Sequence, residues 1–149
     1  VAIYFLDTSA VIKRYVLETG TGWVQALTLP TASHSHFLAR IAWVETISAM
    51  TRRVRGGFLT PANATTALAD FRQDFSQQYI PVEISAALIA HAGHLAETYA
   101  LRGYDAVQLA AASEIRGRIP ALILVSADTA LNAAAAAEGL PVEDPNLHP

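Results

Sequence analysis

Ile3-Tyr4-Phe5-Leu6-Asp7-Thr8-Ser9-Ala10-Val11-Ile12 runs an apolar stretch straight into a carboxylate and two hydroxyl residues. An apolar run of this length bounded by a polar stop reads as a buried strand, placed at about residues 2–6. Asp7-Thr8-Ser9 is a helix-start signal, so a short helix follows through Ala10-Val11-Ile12 to Val16. The order is strand, acid, helix. Near the other end Ala121-Leu122-Ile123-Leu124-Val125-Ser126 leads into Asp128 and an Ala-rich helix at 129–137, which repeats it.

Between these two units the pattern keeps alternating. Glu18-Thr19-Gly20-Thr21-Gly22 breaks the first helix, and a second runs from about Trp23 to Leu29. His34 to Ile41 is a weak strand candidate. Trp43, Val44, Ile47, Met50 and Val54 then trace a helical stripe, with Glu45 in the first turn. Thr60-Pro61-Ala62 supplies a hydroxyl cap and a proline at the first helical position, opening a helix to about Gln78. Ile80 to Ile84 reads as a strand, and Ser85 caps a helix that extends to about Leu101 and ends at Gly103. A helix from Ala106 to Arg116 has Asp105 in its first turn. Leu140-Pro141-Val142 is a final short strand. Strands alternating with helices predict an α/β three-layer sandwich, with a central, mainly parallel sheet and helices on both faces. In such sheets the ligand crevice lies beyond the carboxyl ends of the strands, where Asp7 and Asp128 both open.

Composition bounds the chemistry. The chain has 149 residues and is 52% hydrophobic, enough for one domain that buries about 68–70% of its extended-chain surface. Cysteine is absent, which removes thiolate zinc sites, cysteine nucleophiles and disulfides. Net charge is −3, so a general electrostatic footprint for nucleic acid is missing, although a local one is compatible with it. The chain opens directly into a strand without a basic leader, and no apolar run approaches the roughly 18 residues of a membrane span. A soluble cytoplasmic protein with no membrane partner is expected.

Asp7, Glu45, Asp105 and Asp128 each stand at a strand end or a helix start. Taken singly, each has a plain explanation: Asp7 and Asp128 as helix caps, Glu45 and Asp105 as first-turn carboxylates favoured by the helix dipole. Taken together, carboxylates gathered in low dielectric repel or protonate, so their convergence calls for a cation, and all-oxygen donors suit Mg2+ or Mn2+.

Phe5-Leu6-Asp7-Thr8-Ser9-Ala10-Val11, Trp43-Val44-Glu45, Tyr104-Asp105-Ala106-Val107-Gln108-Leu109-Ala110 and Val125-Ser126-Ala127-Asp128 resemble, in order and spacing, the successive motifs of PIN-domain ribonucleases. Within that family they most resemble VapC-type toxins of bacterial toxin–antitoxin pairs. The resemblance runs from the first strand to about Gly139. It implies that residues 1–149 form a single PIN-like domain, and that Asp7, Glu45, Asp105 and Asp128 are the metal-site acids, with Ser9 supporting the first of them. It further implies Mg2+ as cofactor with Mn2+ as substitute, cleavage of RNA leaving a 5′ phosphate, a VapB-like antitoxin and a homodimer. Asp7 and Asp105 are the expected direct metal ligands, since both look fixed at element termini, while Glu45 and Asp128 either bind the metal through water or orient the attacking water. The segment from Arg52 to Arg102 matches no family motif.

Two other function classes share these residues. A strand ending in Asp followed by Thr also opens phosphatase-like folds that work through an aspartyl phosphate, but their second Asp is replaced here by Ser9. An acidic pocket can also serve as a non-catalytic receptor for a basic peptide. Other features read as structural. His34, His36, His91 and His94 read as surface or satisfied histidines, and His148 falls in a frayed tail. Asp70 and Asp74 form a solvated face beside the buried Phe71 and Phe75. Arg52, Arg53 and Arg55 read first as a solvated helix end, with bidentate contact to a nucleic-acid backbone as the alternative, Trp23 and Trp43 as core, and Tyr104 as a residue lining the crevice.

Overall fold

The structure, a computed structural model, describes residues Val1–Pro149. Five strands, β1 (Ile3–Leu6), β2 (Ser35–Ala39), β3 (Ile80–Val82), β4 (Ile123–Val125) and β5 (Val142–Glu143), pair in the order β3-β2-β1-β4-β5. Every pairing is parallel. Parallel neighbours require crossovers, and helices supply them: α1 (Thr8–Tyr15) and α2 (Thr21–Thr28) after β1, α3 (Ala42–Arg55) and α4 (Pro61–Gln77) after β2, α5 (Ala86–Tyr99) and α6 (Gly103–Arg118) after β3, and α7 (Thr129–Ala137) after β4.

Strand side chains alternate between the two faces, so the inner strands feed two cores. Phe5, Ala39 and Leu124 pack with α5, α6 and α7, whereas Leu6, Leu38 and Val125 pack with α1 to α4. Helices therefore cover both faces, as the alternation predicts. Helix α6 is buried along most of its circumference, Ala106 to Ala112 and Ile115 included, and its alanines let it pack closely between α5 and the sheet. Four helices begin with a side-chain cap. Asp7, Thr60, Ser85 and Asp128 accept from the amides of Ala10, Asn63, Leu88 and Leu131.

Several local expectations are corrected. Gly103 opens α6 rather than closing α5, which ends at Tyr99 with Ala100 in the left-handed region at φ 53°. The last strand is Val142–Glu143, and Leu140 is buried in the core instead. Helix α3 turns its small residues inward: Ala42, Thr46, Ala49 and Met50 are buried, while Val44 is 57% exposed and Trp43 sits at the edge against Phe71 and Phe75. Asp74 is not merely solvated. It accepts from the Tyr15 hydroxyl at 2.8 Å and pairs with Arg14 at 3.3 Å, tying α4 to α1. The reading of His34 and His36 as satisfied histidines holds, since buried His36 is held by the Leu27 carbonyl at 2.8 Å and His34 accepts from the Ala2 amide.

The C-terminal tail is tied down rather than frayed. The His148 ring stacks on Trp23 at 4.3 Å and 4°, and its Nε2 meets Glu143 at 3.2 Å. Gly20, at φ 86°, lies where any Cβ would overlap the Pro145 carbonyl, so the turn before α2 admits the tail only as glycine. No helix is long and apolar enough to cross a membrane.

Leu124 lies on β4 with no exposed surface, so Leu124→Ala is expected to destabilise the fold by about 2–5 kcal/mol in urea titrations. Leu17→Ala, at a position 90% exposed, is expected to change stability by less than about 0.5 kcal/mol. Equal effects would contradict the assignment of the core.

Candidate active site

The strand order places a topological switch beside β1. From β1 the chain steps to β2 and β3 on one side, and later to β4 and β5 on the other. The crossovers that leave β1 and β4 therefore run in opposite directions, which opens a crevice at the carboxyl ends of those strands. Asp7 follows β1 directly, and Ser126-Ala127-Asp128 follow β4. Register aligns them: Leu6 stands opposite Val125, and the Asp7 amide donates to the Val125 carbonyl at 3.1 Å.

Asp7 is 3% exposed. Its Oδ1 accepts from the Ser9 hydroxyl at 2.6 Å and from the Ala10 amide at 3.1 Å, and its Oδ2 from the Ser126 hydroxyl at 3.0 Å. Both serines are themselves anchored, because the Ala127 amide donates to Ser9 and the Asp128 amide to Ser126. Glu45, in the first turn of α3, accepts from Gln108 Nε2 at 2.8 Å and from the Thr8 hydroxyl at 3.1 Å. Asp128 divides its oxygens: Oδ1 caps α7, and Oδ2 faces Arg102 at 3.3 Å. Asp105 Oδ2 meets the same arginine at 3.1 Å.

All four predicted acids, with Ser9, line one hollow of about 240 Å³ together with Thr8, Gln108, Arg52 and Arg102. The plain and the sharp readings of Asp7 and Asp128 hold together, since each caps a helix and also faces the hollow. Electrostatic strain accompanies the gathering. Burial pushes the Asp7 carboxyl up to about 7 despite the bonds from Ser9, Ser126 and Ala10, and the Asp128 charge adds to the rise. Burial likewise raises Glu45, partly offset by Gln108 and Thr8, with the Asp105 charge pushing further. Asp105 is raised by burial and then by Asp128, against the pull of Arg102.

An all-oxygen donor set of this kind fits a hard divalent cation. No group of three or more of these side chains is gathered as a ready-made ligand cage. Sequence reasoning missed Gln108, Ser126, Thr8 and Arg102. Gln108 is 2% exposed amid an Ala-rich helix, where position alone gives no sign of a polar partner. Arg52 and Arg53, read as part of a solvated helix end, line the hollow instead, and Arg53 also pairs with Glu18 at 2.6 Å.

A parallel five-stranded sheet between two helical layers, with carboxylates at its switch point, defines a PIN-like α/β sandwich. Solved structures share that fold. VapBC2 of Rickettsia felis, bound to a promoter DNA fragment, matches with a TM-score of 0.65 at 15% identity, covering 95% of this chain and 98% of that one. VapC20 of Mycobacterium tuberculosis, a sarcin-ricin loop cleaving toxin, matches at 0.64 and 19% identity, covering 88% and 94%. Sequence relatives go further. Ribonuclease VapC45 and Ribonuclease VapC49 of two Mycobacterium tuberculosis strains are each 35% identical over 147 residues, 99% of this chain and 98% of theirs. The chain belongs to the VapC ribonuclease family. No family model matches it.

The raised Asp7 has a signed consequence. Between about pH 4 and pH 7 the folded state holds a proton that the unfolded state has released, so this contribution to stability is present at low pH and lost as pH rises through about 7. In EDTA, raising the pH from about 5 to 8 is expected to cost the wild type on the order of 3 kcal/mol more than Asp7→Asn, by urea titration. Parallel pH profiles for the two proteins would contradict the buried-acid description.

Proposed function

We propose that this protein is a Mg2+-dependent endoribonuclease, with Mn2+ as a substitute, and the toxin of a toxin–antitoxin pair. The observation that carries the reading is the meeting of Asp7, Glu45, Asp105 and Asp128 in one hollow, in a chain of the VapC ribonuclease family. Asp7 and Asp105 would hold the metal. When bound, a divalent cation supplies charge neutralisation on the phosphate and a water made nucleophilic near neutral pH.

The chain's own residues do the rest. Ser9 and Ser126 fix both oxygens of Asp7, so its orientation is set before any ligand arrives. Gln108 and Thr8 hold Glu45 at the rim, where it orients the attacking water and receives its proton. Asp128 orients water through the oxygen not used as a helix cap. Arg102 is 83% exposed, so its pairs with Asp105 and Asp128 are screened and displaceable, and it is free to turn to a phosphate.

The acidic hollow also suits a basic segment of a VapB-like antitoxin. The VapBC structures that share the fold support that pairing, and a homodimer in the cytoplasm completes the proposal. An aspartyl phosphate at Asp7 finds no support: the position two residues on, where such chemistry needs a second acid, is Ser9, whose hydroxyl donates to Asp7.

Asp105→Asn is expected to lower Mg2+-dependent RNA cleavage by at least about a hundredfold, and to weaken Mn2+ binding in calorimetry, without loss of helical circular dichroism. Undiminished cleavage by this variant, or by the wild type in EDTA, would contradict the proposal.

A further inference from the structure

Beside the acid hollow lies a wider cleft of about 420 Å³, within the range of small-ligand pockets. The two are continuous, because Thr8, Glu45, Arg52, Arg102 and Asp105 line both. What the cleft adds is different in kind. Tyr104, in the first turn of α6, is 63% exposed, and Val44, in the first turn of α3, is 57% exposed, and both line it. An exposed phenol ring and an exposed branched alkyl group thus stand beside the reacting carboxylates.

The cleft is also less acidic than the hollow, since Glu45 and Asp105 line both but Asp7 and Asp128 line the hollow alone. Arg52 lines the cleft and pairs with no carboxylate, whereas Arg53 is neutralised by Glu18 and Arg102 shares Asp105 and Asp128. A free guanidinium fork, an aromatic face and an apolar flank are what one nucleotide presents itself to: a phosphate for the fork and a base for the ring.

We propose that this cleft is the subsite for the nucleotide next to the scissile phosphate of a single-stranded RNA. The base stacks on Tyr104 against Val44, and Arg52 takes the phosphate that follows. This rests on the nuclease reading above. An unpaired substrate is required, because a base inside a duplex cannot reach a side-chain ring. Two arginines balance the two acids of the cleft, whereas the hollow sets four acids against three arginines, one of them already paired with Glu18, so the antitoxin's basic segment belongs in the acid hollow.

The test measures binding of a short fluorescein-labelled single-stranded oligoribonucleotide of mixed sequence in EDTA, by anisotropy across a salt series, alongside steady-state cleavage of the same RNA in Mg2+. Tyr104→Ala is expected to weaken binding about five- to hundredfold with an unchanged salt slope, and Tyr104→Phe to restore it. Arg52→Ala is expected to weaken binding and to reduce the salt slope by about 0.7. Both alanine variants are expected to raise KM more than they lower kcat. Both positions are solvent-facing, so circular dichroism of the variants should match the wild type.

Wild-type affinity in both Tyr104→Ala and Arg52→Ala would overturn the subsite even if RNA is cut. So would a Tyr104→Ala defect seen with an Arg-rich peptide but not with the oligonucleotide, which would assign the cleft to a protein. Binding that depends on Tyr104 and Arg52 without any cleavage by the wild type would support the subsite as a nucleic-acid site and refute the nuclease reading.

Discussion

A nearly inaccessible carboxylate at the end of the central strand is the constraint around which this molecule is arranged. Leaving such a group charged without partners in a packed interior is costly, and neutralising it would remove its use. Here the cost is offset by hydroxyls from two segments far apart in sequence, Ser9 and Ser126, and by the first turn of α1. That arrangement exists only while β1 and β4 lie side by side in register, Leu6 opposite Val125. A slip of β4 by one residue would carry Ser126 to the other face and exchange Leu124 with Val125 between the two cores. The core on each face, which alternates Phe5 with Leu6 and Leu124 with Val125, therefore holds the carboxylate's partners in place.

The remaining acids are managed in different ways. Glu45 is clamped by an amide and a hydroxyl, so its position is fixed while its charge stays strained by burial and by Asp105. Asp105 and Asp128 share a solvent-exposed arginine, a partner that is weak in water and easily exchanged. The result is a hollow whose inner end is rigid and whose outer end can rearrange. Net charge of the chain is −3, yet Arg52 and Arg102 stand beside the acids in the hollow, so its lining is mixed in sign rather than uniformly acidic.

How much of this was legible in the sequence depended on how local the physics was. Strands ending in acids, and caps at Thr60 and Ser85, could be read because a few neighbouring residues decide them. The meeting of the four acids followed from their common placement at element ends in an alternating fold, together with the resemblance of their motifs. Gln108 could not be read: an amide among alanines and leucines on a buried helix shows its partner only when α3 and α6 converge. His148 and Asp74 failed for the same reason, since Trp23 and Tyr15 reach them across long stretches of chain. The stripe assigned to α3 erred differently. Periodicity favours bulky residues as the buried face, whereas this helix buries Ala42, Thr46 and Ala49 and leaves Val44 outside.

The central claim is that Asp7 and its neighbouring acids are a cation site rather than four unrelated helix-end carboxylates. Diffraction from crystals of the protein soaked in Mn2+, recorded at the manganese edge, tests it most directly. An anomalous peak in the hollow, about 2.1 Å from an oxygen of Asp7 or Asp105, is the predicted result. An ordered hollow with no peak at saturating Mn2+, or a peak bound only elsewhere on the surface, would contradict it.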